Sequence, residues 1–255
     1  MLVDTHCHLD FSDKLQEWIG NAAGQNVRTL ICVGTSIEAS KKCIEIAEKY
    51  SSDDFQIYAT VGIHPQDGKD DIEKYGKNYI DELRKVALSS EKVVAIGEIG
   101  LDYREVISEK GKVTSEEEKE EQRKLFLDQI KLACELKLPI VVHCRNGWEE
   151  IFEIIESGKL KIENLGGVFH SWTGDLQAAK RAIDLGFYIS FSGILTFKNA
   201  PKVQEVAKWV PLEKMILETD SPFLAPVPYR GEQNEPKNVK IIAQFLADLR
   251  SYPLG

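Results

Sequence analysis

Five histidines occur in the 255 residues, and four of them stand where a metal ion could use them. His6 and His8 form an H-x-H pair in the opening MLVDTHCH. Residues two apart in an extended strand project to the same side, so both imidazoles reach toward one ion. His143 and His170 each close a short apolar run, PIVVH and GGVFH, while Glu98 and Asp220 follow VVAIG and MILET. Imidazole and carboxylate ligands suit Zn, Mn, Co or Ni, and Mg less well. A catalytic zinc takes three protein ligands and a water. Four imidazoles and two carboxylates exceed that need, which indicates two divalent ions sharing one carboxylate, with Glu98 the natural bridge. Two such ions lower the pKa of a bound water and polarise a phosphoryl oxygen. Glu98 and Asp220 are then the catalytic carboxylates, Asp220 both ligating and accepting the proton of the attacking water.

Such residues meet only if the chain brings the ends of several elements together. Short β-branched, apolar runs cover 2–4, 29–34, 57–62, 93–98, 139–143, 166–170, 187–191 and 215–218. Most are continuous rather than alternating, as in strands buried on both faces. Amphipathic stretches at 36–50, 72–89, 115–135, 148–157, 176–185, 200–209 and 237–249 separate them. That alternation predicts α/β architecture with a parallel sheet, and eight strands predict a single-domain (β/α)8 TIM barrel over residues 1–255. Barrel enzymes keep their sites at the C-terminal strand ends, where the histidines and both carboxylates would converge. No G-x-G-x-x-G follows the first run, which argues against a dinucleotide-binding alternative.

Other polar residues have two readings each. His64 follows the third run and precedes Pro65, so it is either a turn residue or a rim group that donates to a phosphate or protonates a leaving group. Arg145, two residues past His143, either pairs with the acidic helix start or binds substrate. Arg230, on the loop after the last strand, is either a plain surface residue or takes a phosphate bidentately. Trp172 and Tyr103 lie beside these motifs, where a ring either packs or stacks on an unpaired base. Cys7 and Cys144 flank ligands but point the other way, as buried small residues.

Thirty-two Lys+Arg against 41 Asp+Glu give a net charge of -9. A broad basic surface for nucleic acid is thereby excluded, and a polyanion must be gripped by metal ions and a few arginines. Five cysteines without a C-x-x-C pair suggest reduced thiols in a cytosol-like compartment. The opening residues lack a basic, then apolar, secretory pattern, and no apolar run approaches a membrane span. A cytoplasmic location, a monomer and no membrane partner are the expectation.

THCHLD, GIHP, GEIGLDY, HCR, HSWTG, SFSG and ETDSPFL, followed by PYRGEQNEP, occur in this order. In these motifs, from residue 2 to about 249, the chain resembles the TatD family of metal-dependent deoxyribonucleases. The resemblance implies an amidohydrolase-superfamily barrel, a two-metal site and hydrolysis of DNA phosphodiesters; the few cations of an acidic chain add the expectation that single strands or ends are preferred. It also implies that His6, His8, Glu98 and Asp220 hold one ion and Glu98, His143 and His170 the other. The sequence departs from the family pattern in the RG loop, where Glu232 and Gln233 replace the usual basic residues and weaken the local positive field. Asn146 stands in HCRNG where an Asp is usual, and either residue is expected to cap the next helix. The rival is an amidohydrolase-type C–N or aminoacyl-ester hydrolase. Those barrels often bridge their metals with a carbamylated Lys at the end of strand four, whereas this chain has Glu98.

Overall fold

In the computed structural model, residues 1–104, 113–157 and 166–252 are described. Eight parallel strands run in the order β1 to β8: β1 (Leu2–Cys7), β2 (Val27–Val33), β3 (Gln56–Val61), β4 (Val93–Asp102), β5 (Ile140–Arg145), β6 (Gly167–Phe169), β7 (Tyr188–Phe191) and β8 (Met215–Leu217). Around them lie α1 (Leu15–Gly24), α2 (Ile37–Tyr50), α3 (Gly68–Tyr75), α4 (Tyr79–Ala87), α5 (Glu116–Leu136), α6 (Trp148–Glu156), α7 (Leu176–Asp184), α8 (Pro201–Trp209) and α9 (Val239–Arg250). This is the expected (β/α)8 barrel, and its apolar strand residues, such as Ile57, Ile96, Val142 and Phe169, are buried. Among the described residues no helix is long and apolar enough to cross a membrane.

The wall closes between β1 and the segment after β8. Cys7 and Ser221 form a parallel bridge, the His8 N–H donates to the Ser221 carbonyl at 2.8 Å, and the Asp220 N–H donates to the His6 carbonyl at 2.9 Å. The Asp4 carboxylate accepts from the Thr219 N–H at 2.8 Å and its hydroxyl at 2.5 Å, fixing the same seam from below.

Several elements differ from the sequence reading. β1 continues to Cys7 rather than ending at Asp4, so His6 lies within a strand. β4 runs on to Asp102, so Glu98 sits inside it rather than at its end. Gly100, paired with His143, makes this possible: its φ is +148°, and a Cβ there would strike the His143 carbonyl. The 72–89 stretch divides at Gly76, whose φ of 58° ends α3. α1 was not expected, because Gly20, Asn21 and Gly24 dilute its helical signal. The expected 115–135 helix is present: Ser115 caps α5 through a capping box with Glu118.

Helix α5 also sets the mouth of the barrel. Gln122 and Gln129, seven residues apart and so on one helix face, each clamp a loop backbone. Gln129 accepts from the Ile63 N–H at 2.7 Å and donates to its carbonyl at 2.9 Å. Gln122 accepts from the Asp102 N–H at 2.8 Å and donates to its carbonyl at 3.2 Å. Asp102 and Ile63, the neighbour of His64, are thus held by one helix.

Candidate metal centre

Glu98 lies at the middle of the strand ends, 3% exposed, with a different donor set facing each carboxylate oxygen. Its Oε2 is 3.3 Å from His6 Nε2 and 3.9 Å from His8 Nε2. Asp220 Oδ1 completes that set, 3.6 Å from His6 Nε2 and 3.3 Å from His8 Nε2. Glu98 Oε1 is 2.8 Å from both His143 Nδ1 and His170 Nε2, which are 3.0 Å apart. Tetrahedral ligands at about 2.0–2.2 Å from one ion stand roughly 3.3–3.6 Å from each other; three of the distances in the first set fall in that range, and His8 to Glu98, at 3.9 Å, is longer.

The outer nitrogens orient the rings. His8 Nδ1–H donates to the Val33 carbonyl at 3.2 Å. His143 Nε2–H donates to Asp102 at 3.2 Å, and His170 Nδ1–H donates to Glu218 at 3.2 Å. Each bond orients its ring so that the other nitrogen faces Glu98 or Asp220, the position from which a metal-ligating histidine would use its lone pair once an ion displaced the proton. Both nitrogens of buried His6 lack a hydrogen-bond partner. A buried imidazole left unpaired is costly, and an ion at its Nε2 would satisfy it. The donor set therefore fits divalent metal.

Charges among these groups are strongly coupled. Burial pushes the Glu98 carboxyl up, but the imidazoles of His170, His64 and His143 outweigh burial and hold it well below the usual carboxylate range. Burial likewise opposes charge on His170, yet Glu98 and Glu218 raise its pKa well above the ordinary value. Asp220 is held low against burial by His8 and His6.

A cavity of about 610 Å³ opens over the cluster and is lined by His8, His64, Glu98, His143, His170 and Asp220, among others. The structure thus brings together all six expected ligands. His64 joins them deeper than the rim, its Nε2 3.6 Å from Glu98 Oε1. Burial lowers its pKa to about 3, and its Nδ1 accepts from the Gln66 N–H at 3.1 Å. With Nδ1 accepting, the proton of the neutral ring lies on Nε2, which faces Glu98.

Arg145 borders the cavity with its Nη1 3.5 Å from Asp102 Oδ1, so its partner is Asp102 rather than the start of α6. Arg230 is not among the described residues lining the cavity: its guanidinium lies over the Phe197 ring at 4.2 Å and its Nη1 donates to Asn199 at 3.3 Å. Trp172 and Tyr103 are buried packing residues, Trp172 donating to the Gly174 carbonyl at 2.8 Å and the Tyr103 hydroxyl to Glu150. Asn146 does not cap α6; it adopts a left-handed φ of 57°, donates to the Tyr103 carbonyl at 3.0 Å, and leaves the cap to Gly147. The sequence reading passed over Asp102 and Glu218, although each lies within a few residues of a named carboxylate. Asp102 is four residues from Glu98 and Glu218 two from Asp220.

The TatD related DNase family profile matches residues 3–255. The chain belongs to the TatD family. It is 39% identical to the uncharacterized metal-dependent hydrolase YabD of Bacillus subtilis strain 168, over 98% of this chain and 91% of that one. It is 35% identical to the uncharacterized metal-dependent hydrolase YcfH of Escherichia coli K12, over 98% of this chain and 88% of that one. The crystal structure of the TatD homologue YjjV from Escherichia coli K12 superposes with a TM-score of 0.85 at 30% identity, covering 99% of this chain and 91% of that one. As a member of the TatD family, the chain is a metal-dependent hydrolase.

Proposed function

We propose that this TatD-family hydrolase is a two-metal deoxyribonuclease that cuts phosphodiester bonds, preferring the ends of single-stranded DNA. The observation that carries this reading is Glu98, one oxygen toward the His6, His8 and Asp220 set and the other toward His143 and His170. When bound, the two ions, Zn, Mn, Co, Ni or Mg, would activate a water and neutralise charge on the phosphoryl and leaving oxygens. They would also supply positive charge that a chain of net charge -9 otherwise lacks.

The protein side of the reaction follows from the cavity lining. Asp220 receives the proton of the attacking water. His64 Nε2–H donates to a phosphate oxygen. Arg145, anchored on Asp102 but 56% exposed, turns its remaining donors toward the same phosphate. Arg230 reaches at most a more distant phosphate of the strand. With so few cations, a long duplex is poorly gripped and a terminal single strand is favoured. The five free cysteines support a reducing, cytosol-like location, and a monomer is the working assembly.

The test is one metal-loaded preparation assayed on single-stranded DNA, duplex DNA, an aminoacyl-tRNA and simple amides. Release of nucleotides from single-stranded ends, faster than from duplex, is expected. Turnover of the ester or amide without DNA cleavage would overturn the reading in favour of an amidohydrolase.

A further inference from the structure

Two phenylalanines stand in water at the cavity mouth. Phe11 is 55% exposed and Phe223 49%, and both line the cavity. Their ring centroids are 6.0 Å apart with planes at 70°, and each meets His8 edge-on, at 5.8 and 5.9 Å. Both are tied to ligand backbone. Phe11 ends the short 3-10 turn Leu9–Phe11, and its N–H donates to the His8 carbonyl at 3.3 Å; the Phe223 N–H donates to the Asp220 carbonyl at 2.8 Å. A large ring kept in water forgoes favourable burial, so two of them beside a metal centre mark a surface that a flat apolar partner completes.

We propose that Phe11 and Phe223 form a stacking platform for the unpaired nucleobase of the nucleotide whose phosphate lies at the metal centre. The inference rests on the nuclease reading above. Phosphate-binding groups (Arg145, His64 and the exposed Arg104) line the same cavity, so one ligand carrying both a flat ring and a phosphate fits it. Two rings are far too little surface for a stable protein partner, which buries roughly 1,200 Å² or more. The perpendicular planes give a base one ring to stack on and a second to abut. Every base has a π-face, so the platform accepts any sequence but requires the base to be unpaired.

The experiment compares single-stranded oligonucleotides ending in thymidine or in 5,6-dihydrothymidine, which keeps the polar edge but loses the flat aromatic face. Wild-type kcat/KM should favour thymidine by about 5- to 150-fold, the range that base–aromatic stacking spans. Phe11→Ala/Phe223→Ala should bring the ratio to about 1, and Phe11→Tyr/Phe223→Tyr should restore it. Because the ratio is taken within one preparation, loss of folded protein cancels. Calorimetric binding of thymidine monophosphate against its dihydro form should show the same preference without turnover. A wild-type ratio near 1, or a ratio surviving in the double alanine variant, overturns the platform while leaving the nuclease intact. Failure of wild type to cleave either oligonucleotide removes the nuclease reading and the platform with it.

Discussion

The two donor sets that flank Glu98 keep their negative charge in different places. Around His6 and His8 the acid stands beside the imidazoles, as Asp220, and what lies behind His8 is the neutral Val33 carbonyl. Around His143 and His170 the acids stand behind the imidazoles, as Asp102 and Glu218. A carboxylate behind a ligand makes the imidazole a stronger donor without occupying a coordination position. In the proposed two-metal centre the second set would thus hold an ion firmly while presenting more open face to substrate, and the first would neutralise its ion directly. Only Glu98 belongs to both.

Removing that common member should produce the largest effect. Glu98→Ala is expected to lower metal content from two ions per chain toward one or none, with turnover falling further than for any other single change, by at least about 100-fold. Metal analysis and single-turnover rates check this, and a variant that kept two ions and near-normal turnover would take Glu98 out of the centre. Next comes Asp220→Asn, which keeps one oxygen donor but abolishes basicity. Its turnover should drop by roughly 10²–10⁴ with metal largely retained; parallel losses of metal and rate would reduce Asp220 to a ligand.

The carboxylates behind the rings should matter less, and only on their own side. Asp102→Asn and Glu218→Gln should each weaken the tighter binding of one ion by about 10- to 100-fold while the other ion binds as before. Competition titrations with a chelating dye resolve the two events. Weakening of both ions together would erase the proposed asymmetry.

A smaller effect concerns pH in the metal-free protein. Burial works against charge on His8, but Asp220 and then Glu98 outweigh it and raise its pKa from 6.5 to about 9. Between those values the folded chain holds a proton that the unfolded chain has lost, so stability should fall as pH rises from 6.5 to about 9. This contribution is complete below the unfolded value and gone above the folded one. Metal displaces the proton, so thermal melts should show the decline in metal-free protein and lose it once metal is added. An equal decline in both forms would mean that His8 is not a ligand.

Much of this architecture was legible in the sequence, because its signals are periodic. Continuous apolar runs gave the strands, and histidines and carboxylates at their ends gave the centre. What escaped has physical causes. THCH carries too many polar atoms to look like strand, yet His6 lies buried in β1 because Glu98, Asp220 and the stacked His170 ring, not apolar side chains, receive it. Asp102 and Glu218 act through another side chain, and sequence alone does not distinguish such a carboxylate from a capping one. Arg230 sits in a conspicuous motif but turns onto Phe197 and Asn199. Two aromatic residues of the motifs, Trp172 and Tyr103, are packed away, while Phe223, within ETDSPFL, and Phe11, just after THCHLD, are the exposed ones.

The central claim, that Glu98 divides one mouth into two ion sites, is tested most directly by a crystal structure of metal-loaded protein with anomalous diffraction recorded at the metal edge. Two peaks are predicted, one bonded to His6, His8, Asp220 and Glu98 Oε2, the other to His143 Nδ1, His170 Nε2 and Glu98 Oε1. A single peak at full metal loading, or a second peak that leaves Glu98 unbonded, would contradict the account.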